Sequence, residues 1–358
     1  ASISTLHSFC MDVLRTYYYK IGLDPGFRIL DDTEAALLRE EIIEEVFEEN
    51  YSKPDNEAFF KLVDAYSGDR SDFQLQQLVE KLYDFSRSHP WPNAWLDDVV
   101  KQYEFAAKLD NFSIPWVQAL LDTIQQELTM NLSLLREAEK LIISPGGPKK
   151  YHEAVSSDKE QLQRLLDVAN DWEQLYLGFQ TLDFPSLKRI TKKDDVVPQL
   201  KDTVQQLRNT AKSNIQELQS KFFARPLHEY MYDLAEMAPL VKTLVRLVKT
   251  FAERFYALKK EKAVLDYSDL EHNCLQILLD EHATRDELIP SEVALNYQAT
   301  FSEVLVDEYQ DTNFVQETIV QLVSKENNLF MVGDVKQSIY RFRLAEPSLF
   351  LQKYKDFS

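Results

Sequence analysis

Only seven of the 358 residues are glycine, and none stands in the pattern G-x-x-x-x-G-K-[ST]. A loop that wraps the β and γ phosphates of a nucleotide needs closely spaced backbone N–H groups and a lysine in that arrangement. Gly146-Gly147-Pro148-Lys149 fails the spacing, so this stretch carries no phosphate-cradling loop. Cysteine is equally scarce: Cys10 and Cys274 match no metal-ligand or disulfide framework and are expected as small buried hydrophobes in a reducing cytoplasm, with no zinc or iron–sulfur site. No apolar run approaches the ~20 residues that span a bilayer, and no signal-peptide pattern opens the chain. The expectation is a soluble protein without a membrane partner.

Positive charge is also in short supply. Forty Lys and Arg face 59 Asp and Glu, a net charge of −19. Phosphate contacts supply much of the affinity for nucleic acid, so this balance argues against a uniformly DNA-binding surface. The distribution qualifies it. Residues 186–262 hold 16 basic against 9 acidic side chains, whereas residues 31–49 hold nine acids and one arginine. Acidic runs of that kind read as solvated helix faces, and a local basic lobe can still guide DNA on an acidic protein.

Apolar spacing and turn residues divide the chain. A helix is expected through Phe9, Val13, Leu14 and Tyr17, followed by a turn at Gly22–Gly26 and a short strand at Phe27–Leu30. Asp31, Asp32 or Thr33 then caps a helix with Leu38, Ile42 and Val46 on one face. From there to about Lys262 nearly everything reads as helix, punctuated at Ser52–Asn56, Ser67–Ser71, His89–Pro92, Ile114-Pro115, Ser144–Pro148, Phe184-Pro185 and Val197-Pro198. Val241, Leu244, Val248, Phe251, Phe255 and Leu258 alternate three- and four-residue steps, a narrow seam suited to packing along another helix. The run is too short to argue for a dimerising coiled coil, and an intramolecular arm is expected. Lys242, Arg246, Lys249, Lys259 and Lys260 lie off the seam, available to DNA or simply to water.

Two segments near the end carry the chemistry. Val304-Leu305-Val306 ends in Asp307-Glu308-Tyr309-Gln310-Asp311, and Leu329-Phe330-Met331-Val332 ends in Gly333-Asp334. Each is a short apolar run ending abruptly in carboxylates, as a buried parallel strand does at the carboxyl edge of a sheet. Open α/β sheets bind their ligands at that edge. Between the runs, Phe314, Val315, Ile319, Leu322 and Val323 have helical spacing, with Asn313 and Gln316 placed as a capping box. The whole reads as βαβ. Asp266 or Ser268 in Leu265-Asp266-Tyr267-Ser268-Asp269-Leu270 is placed to cap a further helix.

Asp307-Glu308-x-Gln310-Asp311 resembles the Walker B motif of superfamily 1 DNA helicases of the UvrD/Rep class. Gly333-Asp334-x-x-Gln337-Ser338-Ile339-Tyr340-x-Phe342-Arg343 resembles their motif III. Thr5-Leu6-His7-Ser8-Phe9 is similar to their T-x-H-x-F segment, and Asp266–Leu270 to the D-[FY]-x-D-L element before Walker B. Arg343-Leu344-Ala345 stands where UvrD-like enzymes usually have R-G-A, which favours the AddA branch of helicase/nuclease subunits, related to RecB. The fold implied is α/β, a partial RecA-like P-loop NTPase parallel sheet with a large all-α insertion. The core would begin at residues 1–30 and resume at 263–358, with the insertion at 31–262. On this resemblance the chain is part of a larger motor, inactive without its phosphate loop and nuclease domain.

The resemblance also implies roles. The parent protein would be an ATP-dependent 3′–5′ DNA helicase with an associated exonuclease, coupling hydrolysis to single-strand translocation and unwinding in double-strand-break repair. It would work on single-stranded and duplex DNA beside an AddB-type partner, in the bacterial cytoplasm with the nucleoid. ATP and Mg²⁺ are the implied cofactors. Asp307 suits the magnesium, through a bound water, with Glu308 beside it as a second possible ligand and the water-activating base. Gln310 is a further nucleotide-site residue, and Gln337 is the γ-phosphate sensor, because an amide both accepts and donates. Tyr340 and Phe342 would stack on bases and Arg343 contact DNA or brace the loop. Thr5, His7 and Ser8, at a predicted helix start, would contact the DNA backbone. Without that context a strand-terminal Asp-Glu pair is a solvated loop start, and a lone histidine or aromatic belongs to the structure. A single-subunit UvrD/Rep/PcrA-type helicase, or a non-catalytic binding module, are the alternative readings.

Overall fold

The computed structural model describes residues 3–68, 71–106, 115–334, 336, 346, 348–350 and 353. Two compact units account for the chain, one formed by residues 1–101 with 239–358 and the other by residues 102–238. None of the helices among the described residues is long and apolar enough to cross a membrane.

In the first unit, α1 (Leu6–Tyr17) starts at Thr5, whose hydroxyl accepts the Ser8 N–H at 3.2 Å. The chain turns at Gly22, where φ is +63°, a conformation glycine adopts without penalty. It then enters β1 (Arg28–Ile29) and is capped by Asp31 into α2 (Asp32–Ser52). Helices α3 (Glu57–Tyr66), α4 (Phe73–Ser86) and α5 (Pro92–Ala106) follow, separated at the predicted turn residues. Leu38, Ile42 and Val46 of α2 are buried together with Phe59, Leu75 and Val79. They pack on the seam of the 35-residue helix α10 (Leu227–Glu261), whose Leu244, Val248, Phe251 and Phe255 join the same core. The seam is therefore satisfied inside the chain.

A second core in this unit joins α1 to α11 (Tyr267–Leu278), α12 (Glu292–Thr300) and α13 (Phe314–Val323). Cys10 and Cys274 are buried there as free thiols, and burial pushes the Cys274 thiol up from its ordinary pKa. The strands are short and parallel. β1 pairs with β2 (Val264–Leu265), and β3 (Val304–Val306) pairs with β4 (Leu329–Met331) in the register Val304↔Leu329, Leu305↔Phe330, Val306↔Met331. The β3–α13–β4 order is the expected βαβ.

Two features depart from expectation. The described strands form two separate two-stranded sheets rather than one continuous sheet. The strand expected at Phe27–Leu30 narrows to two residues, because β2 offers only Val264 and Leu265 before Asp266 caps α11. The β3 and β4 runs were also expected to be buried on both faces. Instead the cross-strand neighbours Leu305 and Phe330 are 69% and 62% exposed. A parallel pair needs cover on both faces, and the described residues cover only one.

The other unit is helical. It contains α6 (Pro115–Ile143), α7 (His152–Asp167), α8 (Trp172–Gln180) and α9 (Pro198–Phe222), with α6 lying against both α7 and α9. Leu128, Leu132, Leu162, Leu175, Phe179, Ile215 and Phe223 are among its core. A buried ion pair ties α9 to α7: Arg208 donates to Asp158 through Nε at 2.5 Å and Nη2 at 3.2 Å, and to the Pro185 carbonyl at 2.6 Å. That bidentate geometry satisfies a charge that burial alone would penalise.

Candidate nucleotide and nucleic-acid site

The site begins where β3 stops. Asp307 and Glu308 are both exposed just past the carboxyl end of the strand. Glu308 takes φ +53° and ψ +40°, the left-handed region, and its N–H donates to the Asp307 carboxylate at 2.9 Å. A non-glycine residue held there is uncommon, and such conformations gather at functional sites. The following residues form a 3₁₀ turn, Tyr309–Asp311, that is fixed at both ends. The Tyr309 N–H donates to the Val332 carbonyl at 2.9 Å, continuing the ladder from β4, and the Tyr309 hydroxyl donates to Glu317 of α13 at 2.5 Å. Burial, followed by that carboxylate, pushes the Tyr309 phenol up and keeps it a donor.

Gln310 is the hinge pin of the arrangement, with only 1% of its surface exposed. Its Nε2 donates to Glu308 Oε2 at 2.5 Å, and its Oε1 accepts the Asp334 N–H at 3.0 Å. One amide thus spans both acidic strand ends. Gly333 makes the approach possible, since a Cβ there would lie 2.4 Å from Gln310 Oε1, 3.1 Å from Gln310 N and 3.0 Å from the Phe350 ring. Gly333→Ala is expected to displace the Gln310 amide and release Glu308. Overpacking of this kind typically destabilises by about 1–3 kcal/mol. Thermal unfolding alongside ATP turnover tests it: the expectation is a modest loss of stability with a disproportionate loss of turnover, and unchanged turnover would refute it.

The helix after the turn is capped as the sequence indicated. Asn313 accepts the Gln316 N–H at 2.8 Å, and Gln316 Oε1 faces the Asn313 N–H at 3.5 Å. Gln316 Nε2 also donates to Glu271 Oε1 at 2.7 Å, and that same oxygen lies 3.1 Å from Nε2 of His7. The His7 ring lies tilted against Tyr267, ring centroids 5.1 Å apart. Thr5 and Ser8 share a hydroxyl contact of 2.9 Å at the exposed start of α1. The T-x-H segment and the D-E-x-Q-D-T-N segment are therefore joined through one buried carboxylate.

Asp266 caps α11 in a reciprocal box with Asp269. These two acids hold Lys259 at 2.7 and 2.5 Å, and Arg87 reaches Asp269 at 3.3 Å and the Ser268 hydroxyl at 2.7 Å. Lys259, expected off the seam facing DNA or water, is 1% exposed, because α10 ends against the start of α11. Its neighbour His272 donates from Nε2 to the Arg87 carbonyl, and burial pushes its imidazole down to about 3, so it stays neutral. The turn after α4 also grips α13. Val315 donates to the Ser88 carbonyl at 3.2 Å, and His89 stacks between Trp95 and Phe314, each 4.9 Å away.

Glu271, Arg87 and His89 were not among the candidates from sequence. Glu271 alone left a signal: it falls between Leu270 and Cys274, an acid inside the apolar stripe of α11. Gln337, Tyr340, Phe342 and Arg343 lie outside the described residues.

A parallel strand ending in a paired Asp-Glu, a neighbouring strand ending in Gly-Asp, and a long helical insertion are features of a nucleotide-driven motor. The profile of the UvrD/REP helicase N-terminal domain family matches residues 1–177 and 163–358. The chain belongs to the UvrD/REP helicase family. Along its whole length it is similar to proteins named as the A-type subunits of ATP-dependent helicase/nucleases: 47% identical over 363 residues to that of Geobacillus kaustophilus, 45% over 370 to that of Oceanobacillus iheyensis and 48% over 362 to that of Bacillus pumilus. It spans 29% of the length of each of these relatives.

Proposed function

We propose that this chain is part of the motor of an ATP-dependent DNA helicase/nuclease, coupling ATP hydrolysis to movement along single-stranded DNA and unwinding of duplex during double-strand-break repair. The observation that carries the reading is the pair of exposed carboxylates at the end of β3, with Glu308 turned into a left-handed conformation and held by Gln310. Among the described residues no group of three or more His, Cys, Asp or Glu is clustered to cage a metal. Two adjacent exposed carboxylates do fit a magnesium ion that keeps most of its water shell. Asp307, with Glu308 beside it, would hold that ion, and the ion would neutralise charge on the β and γ phosphate oxygens of ATP. Glu308 orients a water and accepts its proton. Gln310 serves the nucleotide site by fixing the Glu308 carboxylate. Gln337 reports on the γ phosphate.

DNA contact falls to two places. Thr5, His7 and Ser8 present hydroxyl, imidazole and helix N-terminal N–H groups to a phosphate. Tyr340 and Phe342 stack on bases with Arg343 beside them, a sequence-tolerant grip suited to a motor. The exposed Leu305/Phe330 face supports completion of a RecA-like sheet by strands and helices from beyond these residues. The core would be residues 1–30 and 263–358 and the helical insertion residues 31–262. The names of the relatives support a second protein of the AddB type as partner, acting in the bacterial cytoplasm at the nucleoid.

The test is ATP turnover by the full-length protein carrying this chain, with and without single-stranded DNA, for wild type and Phe342→Ala. Stimulation by DNA is expected, with Phe342→Ala weakening DNA binding by about 1–3 kcal/mol. Wild-type turnover indifferent to DNA would overturn the reading.

A further inference from the structure

The proposed DNA contact at the start of α1 and the proposed hydrolytic carboxylate at the end of β3 stand on different elements. Something must connect them if DNA is to control ATP turnover. The described residues contain one unbroken polar path. His7 meets Glu271 Oε1 at 3.1 Å, and Glu271 Oε1 accepts from Gln316 Nε2 at 2.7 Å. Gln316 closes the capping box on Asn313, the first residue of the α13 cap. Three residues earlier stands Gln310, whose amide holds Glu308 at 2.5 Å.

The last part of this path moves as one piece. Tyr309 and Gln310 are buried, and the Tyr309 hydroxyl is bound to Glu317 one turn into α13. Lys353 and Gln321 satisfy the other oxygen of Glu317, at 3.1 and 2.6 Å. The 3₁₀ turn is thereby locked to the helix, so a shift at the α13 cap is carried to Gln310 and Glu308. The first part, by contrast, rests on a single acceptor. Glu271 Oε1 receives both the imidazole of His7, 40% exposed at its side chain, and the buried end of the Gln316 amide. An acceptor shared by an exposed donor and a cap donor responds when the exposed donor turns to a new partner, such as a DNA phosphate.

We infer that Glu271 is a positioning residue that couples occupancy of the α1 start by nucleic acid to the placement of Glu308. This rests on the function proposed above. Glu271 touches neither DNA nor nucleotide. Its carboxylate competes with the phosphate for His7, and release of His7 changes the hold of Glu271 on Gln316 and thus on the α13 cap.

The experiment compares the DNA-stimulated and DNA-free ATP turnover of the full-length protein carrying Glu271→Ala, Glu271→Gln or Gln316→Leu. Removing the shared acceptor or the cap donor should reduce the stimulation ratio about five- to tenfold, in the range of ordinary coupling between sites. DNA-free turnover should stay within about twofold, because the Glu308–Gln310 bond is intact in all three. Glu271→Gln retains an oxygen in place of Oε1 and should restore most of the stimulation. Should Glu271→Ala fold poorly, Gln316→Leu breaks the same link from the half-buried side and decides the matter. A wild-type stimulation ratio in both breaking variants would overturn the coupling and leave the proposed function standing. An equal loss of DNA-free and DNA-stimulated turnover would also overturn it, marking Glu271 as a structural residue only. If the wild type shows no stimulation at all, the functional reading fails and the coupling with it.

Discussion

Glu308→Gln should reduce DNA-stimulated ATP hydrolysis by about 10²- to 10⁴-fold, the usual contribution of a positioned general base. At the lower limit this is a barrier increase of about 2.7 kcal/mol. The substitution isolates the chemistry because so little else changes. An amide oxygen still accepts from Gln310 Nε2, as Glu308 Oε2 does at 2.5 Å, and an exposed residue in the left-handed conformation keeps its backbone geometry. What is lost is the capacity to take a proton from water. Nucleotide affinity should therefore stay near wild type while turnover collapses. Gln310→Leu should fall between the two, since it leaves the base in place but free to wander. Steady-state turnover of the full-length protein, with affinity measured by a fluorescent nucleotide, separates these outcomes. A Glu308→Gln protein that hydrolyses within about fivefold of wild type would remove Glu308 from the role of base.

The contrast between Glu308 and Glu271 shows where sequence was informative. The β3–α13–β4 unit, its Asn313–Gln316 cap and the helical punctuation all follow from local rules: periodicity, capping chemistry and proline placement act over a few residues. Glu308 was legible because the strand before it is apolar and the turn after it is acidic. Lys259 was not. Helical spacing put it off the apolar seam, and only the approach of α11 determines that this off-seam position is enclosed. The exposure of Leu305 and Phe330 was equally hidden, because an apolar run records what a strand is suited to face. It does not record which element arrives to cover it. The shared acceptor at Glu271 joins residues 7, 271 and 316, and no local pattern spans that distance.

Lys259→Met should be the most destabilising single change in the unit formed by residues 1–101 and 239–358, at about 3–5 kcal/mol, the usual cost of breaking a buried pair from one side. The ammonium bonds Asp266 at 2.7 Å and Asp269 at 2.5 Å while lying 4.1 Å over the Phe255 ring. Without it Arg87, at 3.3 Å from Asp269, is the remaining cation for two enclosed carboxylates. Their titration already shows the strain of that enclosure. Burial, then Asp266 beside it, pushes the Asp269 carboxyl up. At Asp266 burial also pushes upward, but Lys259, the hydrogen bond from Asp269 N–H and Arg87 together draw it below its ordinary value. At Lys259 burial is the largest single influence and pulls downward, yet Tyr83 and the two acids outweigh it and the net direction is up. Methionine fills much of the volume over Phe255, so the loss reports on charge rather than on a cavity. Adding Asp269→Asn should recover part of the stability, since it removes one uncompensated charge, and the two changes should be non-additive because they share a partner. Chemical denaturation of wild type, both single variants and the double variant measures this directly. A Lys259→Met protein within about 1 kcal/mol of wild type would mean that water reaches the cluster and that the start of α11 is held by packing alone.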